Sequence, residues 1–430
     1  MRRFASGKDN LEDLYRILET RSPSEREDVA QTVRGIVEAV KTEGDAALRR
    51  FTEKFDRVSI AGPIEVPAET LDRAVAALPA DLRGTMERAA ANIRRFHERQ
   101  KQNSWFDATP DGILLGQKVT PLGRIGVYAP AGSAPLPSTV LMDVVPAKVA
   151  GVGEVILCSP PDASGSVSPL VAACARIAGV DRVFIAGGAQ AVAAMAYGTE
   201  SVPRVDKVVG PGNIWVTMAK KQVFGVCGID MVAGPSEVLV LADETANPAY
   251  LAADLLSQAE HDPLASAILV TTSEAVCDAV LAEVERQTTL LPRADIVRVS
   301  LADYGAAVVV RDLDEALAVS NRIAPEHMEV VTADPTALLG GIRNAGAIFL
   351  GPWTPEPVGD YFAGPNHTLP TAGTARFFSP LSVDDFVKKS SVIRYSEAAF
   401  RAAAPDVARF AEAEGLDAHA ASVKIRMADE

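Results

Sequence analysis

Along residues 11–100, apolar positions recur at helical spacing between charged ones. The stretches Glu25–Glu43 and Ala68–Gln100 show this most clearly and are predicted to be amphipathic helices. Leu71, Val75 and Leu78 form one such stripe, read as a packing face. At Lys118 the pattern changes to short β-branched runs alternating with Ala-rich stretches. Strands are predicted at Arg124–Tyr128, Glu154–Cys158, Arg182–Ala186 and Lys207–Val209, with helices at Ser138–Ala150, Pro169–Ala178 and Ala189–Tyr197 between them. A second set of strands follows at Val238–Leu241, Ala267–Thr271, Ala306–Val310, Glu329–Thr332 and Ala347–Leu350. Helices at Asn247–Glu260, Ser273–Gln287, Asp312–Asn321 and Pro335–Ile342 separate them. This alternation predicts an α/β fold whose parallel sheets carry helices on both faces. The chain reads as two doubly wound, incomplete α/β halves joined near Gly225–Pro235, with helical arms at both ends. The expected divisions are a helical arm over 1–117, a first α/β domain over 118–234, a second over 235–382 and a C-terminal arm over 383–430. Neither a short-period repeat nor a low-complexity tract interrupts this pattern.

Composition narrows the class. The 430 residues are 48% hydrophobic and 23% charged, which supports a large buried core and argues against wholesale disorder. With 42 basic against 56 acidic residues the formal net charge is −14. A general binder of nucleic acid or anionic membranes would need clustered Lys and Arg, so neither partner is expected. A dinucleotide stays possible, because glycine turns and helix N-termini hold pyrophosphate without net positive charge. Cys158, Cys174, Cys227 and Cys277 are scattered without a CxxC, which suits a reduced, cytoplasmic protein with neither a disulfide framework nor a cysteine-rich zinc site. The start, Met-Arg-Arg-Phe-Ala-Ser-Gly-Lys-Asp, has charge where a signal peptide would be apolar. The uncharged runs Ile125–Met142 and Val183–Thr199 contain prolines or many small residues and read as buried core, not as membrane spans.

In open α/β sheets ligands bind beyond the C-terminal ends of the strands. Three predicted strands end there in small residues: Ala129-Pro-Ala-Gly132, Gly187-Gly188-Ala-Gln190, and Gly210-Pro-Gly-Asn213 before a helix that begins at Ile214. Each lets backbone approach a ligand with a helix N-terminus behind it. No GxGxxG is present, so the halves are Rossmann-like without the ordinary dinucleotide fingerprint. The histidines say more. His97 lies in a charged helical stretch and reads as solvated. His261 follows Gln258 by one helical turn, and His327 follows Glu326 directly before a strand. Asp360 and His367 bracket a Gly- and Pro-rich loop, and His419 lies behind a helix stop at Gly415. An adjacent Glu–His pair suits proton transfer, since histidine titrates near neutrality and a carboxylate can activate water. For the remaining groups two readings stay open, solvated patches or a mixed His/Asp metal site.

Several long stretches carry a family resemblance. They are Val-Tyr128-Ala-Pro-Ala-Gly-Ser-Ala-Pro-Leu-Pro-Ser-Thr-Val-Leu-Met, Val-Gly-Pro-Gly-Asn213, Ala-Gly-Pro-Ser236-Glu and Leu-Ser-Gln258-Ala-Glu-His261. Further along come Ala-Pro-Glu326-His327, Val-Gly-Asp360-Tyr-Phe-Ala-Gly-Pro-Asn-His367-Thr-Leu-Pro-Thr and Glu414-Gly-Leu-Asp-Ala-His419. Over essentially its whole length the chain resembles histidinol dehydrogenases, which oxidise L-histidinol through the aldehyde to L-histidine with two NAD molecules. Ala131 departs from the glycine common in that family and bears only on cofactor fit.

The resemblance implies one zinc per subunit held by Gln258, His261, Asp360 and His419, and an acid/base pair of Glu326 and His327. It implies substrate contacts from Ser236, His327, His367 and Glu414 together with the four metal ligands, and an NAD site lined by Tyr128, Gln190 and Asn213. It also implies a homodimer in which the C-terminal arm completes the partner's site. The residue types suit this chemistry: a neutral imidazole removes a hydroxyl or hydrate proton, a carboxylate activates water, and zinc accepts the nitrogen donors of histidinol. A paralogous dehydrogenase of another primary alcohol, such as a sulfonated polyol, is the alternative. A zinc hydrolase would leave the glycine-bearing turns unexplained, and a non-catalytic NAD-binding regulator would leave the Glu326–His327 pair idle.

Overall fold

The computed structural model describes residues 1–21, 27–131 and 135–428, so Gly132 of the first strand-end turn and Glu25 of the first predicted helix lie outside the described residues. The chain divides into two compact units, residues 1–100 with 122–386, and residues 101–121 with 387–430. In chain order the strands are β1 (Arg2–Ala5), β2 (Glu65–Val66), β3 (Trp105–Ala108), β4 (Leu114–Pro121), β5 (Arg124–Tyr128), β6 (Glu154–Ser159), β7 (Arg182–Ile185) and β8 (Lys207–Val209). They continue with β9 (Gly228–Ile229), β10 (Glu237–Ala242), β11 (Ser266–Thr271), β12 (Ala306–Val309), β13 (His327–Val331), β14 (Ala347–Leu350) and β15 (Val387–Arg394).

The larger unit contains two six-stranded sheets, ordered β2-β7-β6-β5-β8-β9 and β1-β12-β11-β10-β13-β14. Both are wound the same way. From β5 the chain steps through β6 to β7, then returns to the other side of β5 as β8. From β10 it steps through β11 to β12, then returns beside β10 as β13. Each sheet thus has a switch point where the direction of winding reverses, the place where such sheets open a crevice.

Every residue of β10 and β11 is buried, as strands covered on both faces require. Their alternate positions feed separate cores. Val238, Val240, Ala267 and Leu269 pack with the helices Pro248–Ala259 and Glu274–Thr288, while Leu239, Leu241, Ile268 and Val270 pack with the helix Leu313–Ile323. The first sheet is flanked in the same manner, with Ile125 and Val127 facing one core and Tyr128 the other.

The predicted strands coincide with β5–β8 and β10–β14 apart from small shifts at their ends. The arms differ. Residues 1–117 are not a purely helical arm: β1 lies parallel to β12 at an edge of the second sheet, and β2 pairs antiparallel with β7 at an edge of the first. The smaller unit is built on an antiparallel sheet, β15-β4-β3, so the expected boundary at 118 falls within β4 and the supposed helical arm from 383 begins with a turn and a long strand. These strands escape a pattern-based reading because they are short or mostly solvent-facing and carry no apolar alternation. The segment predicted as helix over Pro335–Ile342 is a 3₁₀ helix at Thr336–Gly341, consistent with the poor α-propensity of its two closing glycines. A helix at Ala294–Asp303 adds to the predicted set.

His97 is fully buried, not solvated: it continues the stripe Ala89–Ile93 by one helical turn, and its Nδ1–H donates to the Ile93 carbonyl at 2.8 Å. Burial holds its imidazole below the ordinary pKa. Among the described residues no helix is long and apolar enough to cross a membrane.

At the end of β8, Gly210 has φ +116°, and a Cβ there would run into the carbonyl oxygen of Tyr128. Its N–H donates to Asp230 and its carbonyl accepts from Lys220, at 2.8 Å each, so the turn is fixed from both sides. Gly210→Ala is expected to destabilise the protein by about 2–4 kcal/mol. Gly35→Ala, in the helix Glu27–Glu43 with nothing near the added methyl, should instead stabilise it by about 0.5–1 kcal/mol. Denaturant unfolding of the two variants checks the contrast.

Candidate active site

The turns of the first sheet gather at its switch point. Tyr128 ends β5 and Gly210 follows β8, its neighbour in the sheet. The Tyr128 hydroxyl accepts from the Gly188 N–H at 3.1 Å, which joins the turn after β7 to the end of β5. Burial pushes the Tyr128 phenol up to about 12, so it stays neutral and able to donate. Gln190 is buried in the first turn of the helix Gly188–Tyr197. Asn213 caps the helix Ile214–Val223 through Oδ1, which accepts from the N–H groups of Trp215 and Val216 at 3.1 and 3.2 Å. Its Nδ2 donors are not part of that cap.

In the second half the rule that ligands sit beyond C-terminal strand ends does not hold. Glu326 immediately precedes β13, and His327 is its first residue, opposite Val238 at the start of β10. Both side chains are held by a single residue. The Glu237 N–H donates to Glu326 Oε2 at 2.9 Å, and the Glu237 carbonyl accepts from His327 Nδ1 at 3.0 Å. That second bond places the proton on Nδ1 and leaves Nε2 as the basic nitrogen of the neutral ring. Nε2 lies 3.5 Å from Asp360 Oδ1 and 4.0 Å from Glu356 Oε1.

Helix direction explains the rest of the cluster. In a β-α-β unit the helix runs antiparallel to its strands, so the C-terminal end of Pro248–Ala259 returns to the N-terminal edge of the sheet. That brings Gln258, in its last turn, and His261, just beyond it, to the edge occupied by His327. Asp360 sits on a π-helical turn, Gly359–Ala363, of the kind that recurs at functional sites. The loop carrying His367 is tied to the first half, where Asn366 donates to the Met142 carbonyl at 2.6 Å and Thr368 to Asp143 at 2.7 Å. A Cβ on Gly210 would lie 3.1 Å from the same Asp143 carboxyl, so the His367 loop borders the turn after β8.

The electrostatics follow from burial and crowding. Burial pushes the Glu326 carboxyl up to about 8, with the neighbouring His327 opposing. Burial alone would lower His327, but Glu326, Glu356 and Asp360 together push it well above the ordinary range. The neutral imidazole expected at physiological pH is therefore disfavoured by three surrounding carboxyl groups. Burial would likewise raise Asp360, yet His327, His367 and His261 hold it below the usual range.

The larger unit thus brings together Glu326, His327, Asp360, His261 and His367, with Gln258 on the same helix end as His261. Ser236 directly precedes β10. Glu414 and His419 belong to the smaller unit, at the end of the helix Glu397–Ala413 and within the helix Asp417–Lys424, and both are exposed. The sequence reading missed Glu356, which forms with His327 and Asp360 a group whose ligand atoms lie within 4.8 Å of one another. Its signal was the Glu356–Asp360 spacing of four, which puts both carboxylates on one side of a helical turn.

The residues fit a metal. Gln258 is fully buried, and neither Oε1 nor Nε2 has a hydrogen-bond partner among the described residues. A buried amide left unpaired is costly unless its oxygen serves a ligand. An amide oxygen, imidazole and carboxylate are donors that a borderline cation such as zinc accepts.

A family model described as histidinol dehydrogenase matches residues 19–427. The histidinol dehydrogenase of Geobacter sulfurreducens is 52% identical over 429 residues, 99% of this chain and 100% of that protein. That of Bacillus subtilis is 54% identical over 400 residues, 93% of each. Among solved structures, histidinol dehydrogenase from Elizabethkingia anophelis superposes with a TM-score of 0.93 at 39% identity, covering 99% of this chain and 98% of that one. An acetylating aldehyde dehydrogenase from Geobacillus thermoglucosidasius, 14% identical with a TM-score of 0.50, shares the fold alone over 89% of this chain and 94% of its own. With the model match and two relatives above 50% identity over nearly the whole chain, the protein belongs to the histidinol dehydrogenase family.

Proposed function

We propose that the protein oxidises L-histidinol through L-histidinaldehyde to L-histidine, with Glu326 and His327 as its acid/base pair. The observation that carries this reading is the buried Glu326–His327 pair held by the backbone N–H and carbonyl of one residue, Glu237. The comparisons favour histidinol over a sulfonated polyol as substrate. NAD, when bound, accepts a hydride in each of the two oxidations. Tyr128, Gln190 and Asn213 would hold it at the switch point of the first sheet.

In its neutral form, which a cation held by Asp360 would favour over the imidazolium, His327 Nε2 takes the hydroxyl proton of the alcohol as hydride leaves. Glu326 takes a proton from the water that adds to the aldehyde while His327 returns its proton to the carbonyl oxygen, and His327, neutral again, then takes a hydroxyl proton of the hydrate as the second hydride leaves. Ser236 and His367 position the substrate, and Glu414, on the arm that carries His419, would serve the partner's substrate. Gln258, His261 and Asp360 would hold a zinc ion, one per subunit, and its chemistry there is to anchor and polarise the imidazole and amine of the substrate.

The fourth ligand in this reading is His419 of the partner subunit. Its support is the exposed position of His419 and the apolar surface of the smaller unit, where Trp105, Phe106, Ile393, Phe410 and Ile425 are all exposed. Such surface suits burial in a homodimer. Four buried, unpaired cysteines support a reducing, cytoplasmic setting.

The purified enzyme is expected to form two NADH per histidinol, with histidine as product; one NADH with aldehyde accumulating would refute the assignment. Glu326→Gln should slow oxidation of supplied aldehyde about 10²–10⁴-fold and alcohol oxidation much less, as stopped-flow NADH absorbance would resolve. Because burial raises the Glu326 carboxyl to about 8, its basic form is gained as pH rises. Aldehyde oxidation should therefore accelerate through that range, and a rate flat from neutrality upward would contradict the role.

His261→Ala and His419→Ala should each lose zinc by metal analysis and be inactive alone. In a crossed dimer one site of each heterodimer carries both lesions and the other neither. Mixing the two variants under subunit exchange should therefore restore activity; verified heterodimers without activity would show that the arm serves its own chain.

A further inference from the structure

Arg21 is an arginine that nothing in the proposed chemistry uses, yet it is 4% exposed. Its five N–H donors all have acceptors. Nε donates to the Leu264 carbonyl at 2.7 Å, and Nη1 to Glu237 Oε1 and Ser266 Oγ at 2.9 Å each. Nη2 donates to the carbonyls of Pro235 and Ser236 at 3.1 and 3.0 Å. The guanidinium therefore fixes the segment Pro235–Glu237 where it enters β10, and ties it to the start of β11. Glu237 Oε1 also accepts from the Ala372 N–H at 3.0 Å.

Glu237 is also the residue whose backbone holds Glu326 with its N–H and His327 with its carbonyl. A shift of the Glu237 backbone moves both side chains together. A buried charge with every donor satisfied is expensive to build, and such a network is most useful where geometry must be unique. We propose that the Arg21–Glu237 ion pair is a positioning device for the acid/base pair, setting the place of the Glu326 carboxyl and the tautomer of His327. The proposal rests on the assignment of Glu326 and His327 above. Lysine can replace arginine only in part, because its three donors cannot serve five acceptors, three backbone carbonyls and two side-chain oxygens.

The test uses full-length, zinc-loaded enzyme. Arg21→Met, Arg21→Lys and Glu237→Gln are compared with Glu326→Gln and His327→Asn at a temperature where all remain folded by circular dichroism. Arg21→Met and Glu237→Gln should lower kcat for both histidinol and histidinaldehyde about 10- to 100-fold. The KM for NAD should stay within about twofold, because the first sheet is untouched. The His327 ¹⁵N resonances, assigned by their loss in His327→Asn, should move away from the Nδ1–H tautomer, and Arg21→Lys should recover part of the rate.

A purely structural ion pair would lower the melting temperature and leave kcat, the KM split and the tautomer at wild-type values. That result, with Glu326→Gln and His327→Asn impaired in the same assay, overturns the positioning role and spares the acid/base assignment. Full activity in Glu326→Gln and His327→Asn removes the assignment, and the inference with it. Should Arg21→Met not fold, the isosteric Glu237→Gln decides on the same readouts.

Discussion

Burying a guanidinium is the constraint from which the second half takes its shape. Arg21 satisfies five donors inside the protein, and most of its acceptors lie at the N-terminal ends of β10 and β11. Water would ordinarily hydrate such a group, and replacing that hydration demands acceptors with little freedom to drift. The carbonyls of Pro235 and Ser236 are therefore held rigidly at a place where chain termini of strands are usually loose. Rigidity there permits an active site on the edge of a sheet opposite to the one that such folds commonly use.

The two halves divide the labour by edge. The first offers the C-terminal ends of β5 and β8, where helix N-termini and close backbone approach suit a phosphate-bearing ligand. The second offers an N-terminal edge crowded with carboxyl groups. Burial raises Glu329 to about 9, Glu326 to about 8, Glu356 to about 7 and Asp254 to about 6. Raised carboxyls bind protons in the folded state that the unfolded chain has released. On their account stability falls as pH rises from the ordinary carboxyl range through these values. A cation or an ammonium group in the pocket offsets that loss by favouring the charged forms.

Much of the architecture was legible because parallel strands buried on both faces read as apolar runs, as β10 and β11 do after their first residues. The edge strands β1 and β2 were not, since Arg2–Ala5 and Glu65–Val66 are too short for any period. His97 was misread because its charged neighbours outweighed the spacing of four from Ile93 that buries it. In the candidate site, Glu326, His327 and Asp360 stood out as titratable groups at element boundaries. Arg21 and Glu237 did not, because their significance lies in backbone acceptors that carry no sequence signal. Glu356 was hidden for a related reason: its role depends on a turn whose π-helical continuation only the folded chain reveals.

The smaller unit has a further consequence for how the chain is made. Its central strand β4 pairs with β15, residue Leu114 lying opposite Arg394 and Pro121 opposite Val387. During synthesis β4 leaves the ribosome long before its partner exists, and nascent chains lengthen at about 5–20 residues per second. For that interval one edge of the β3–β4 hairpin is an unfilled template. In the folded protein Val387–Arg394 of the same chain fills it, so any delay in the C-terminal segment prolongs the exposure of that edge.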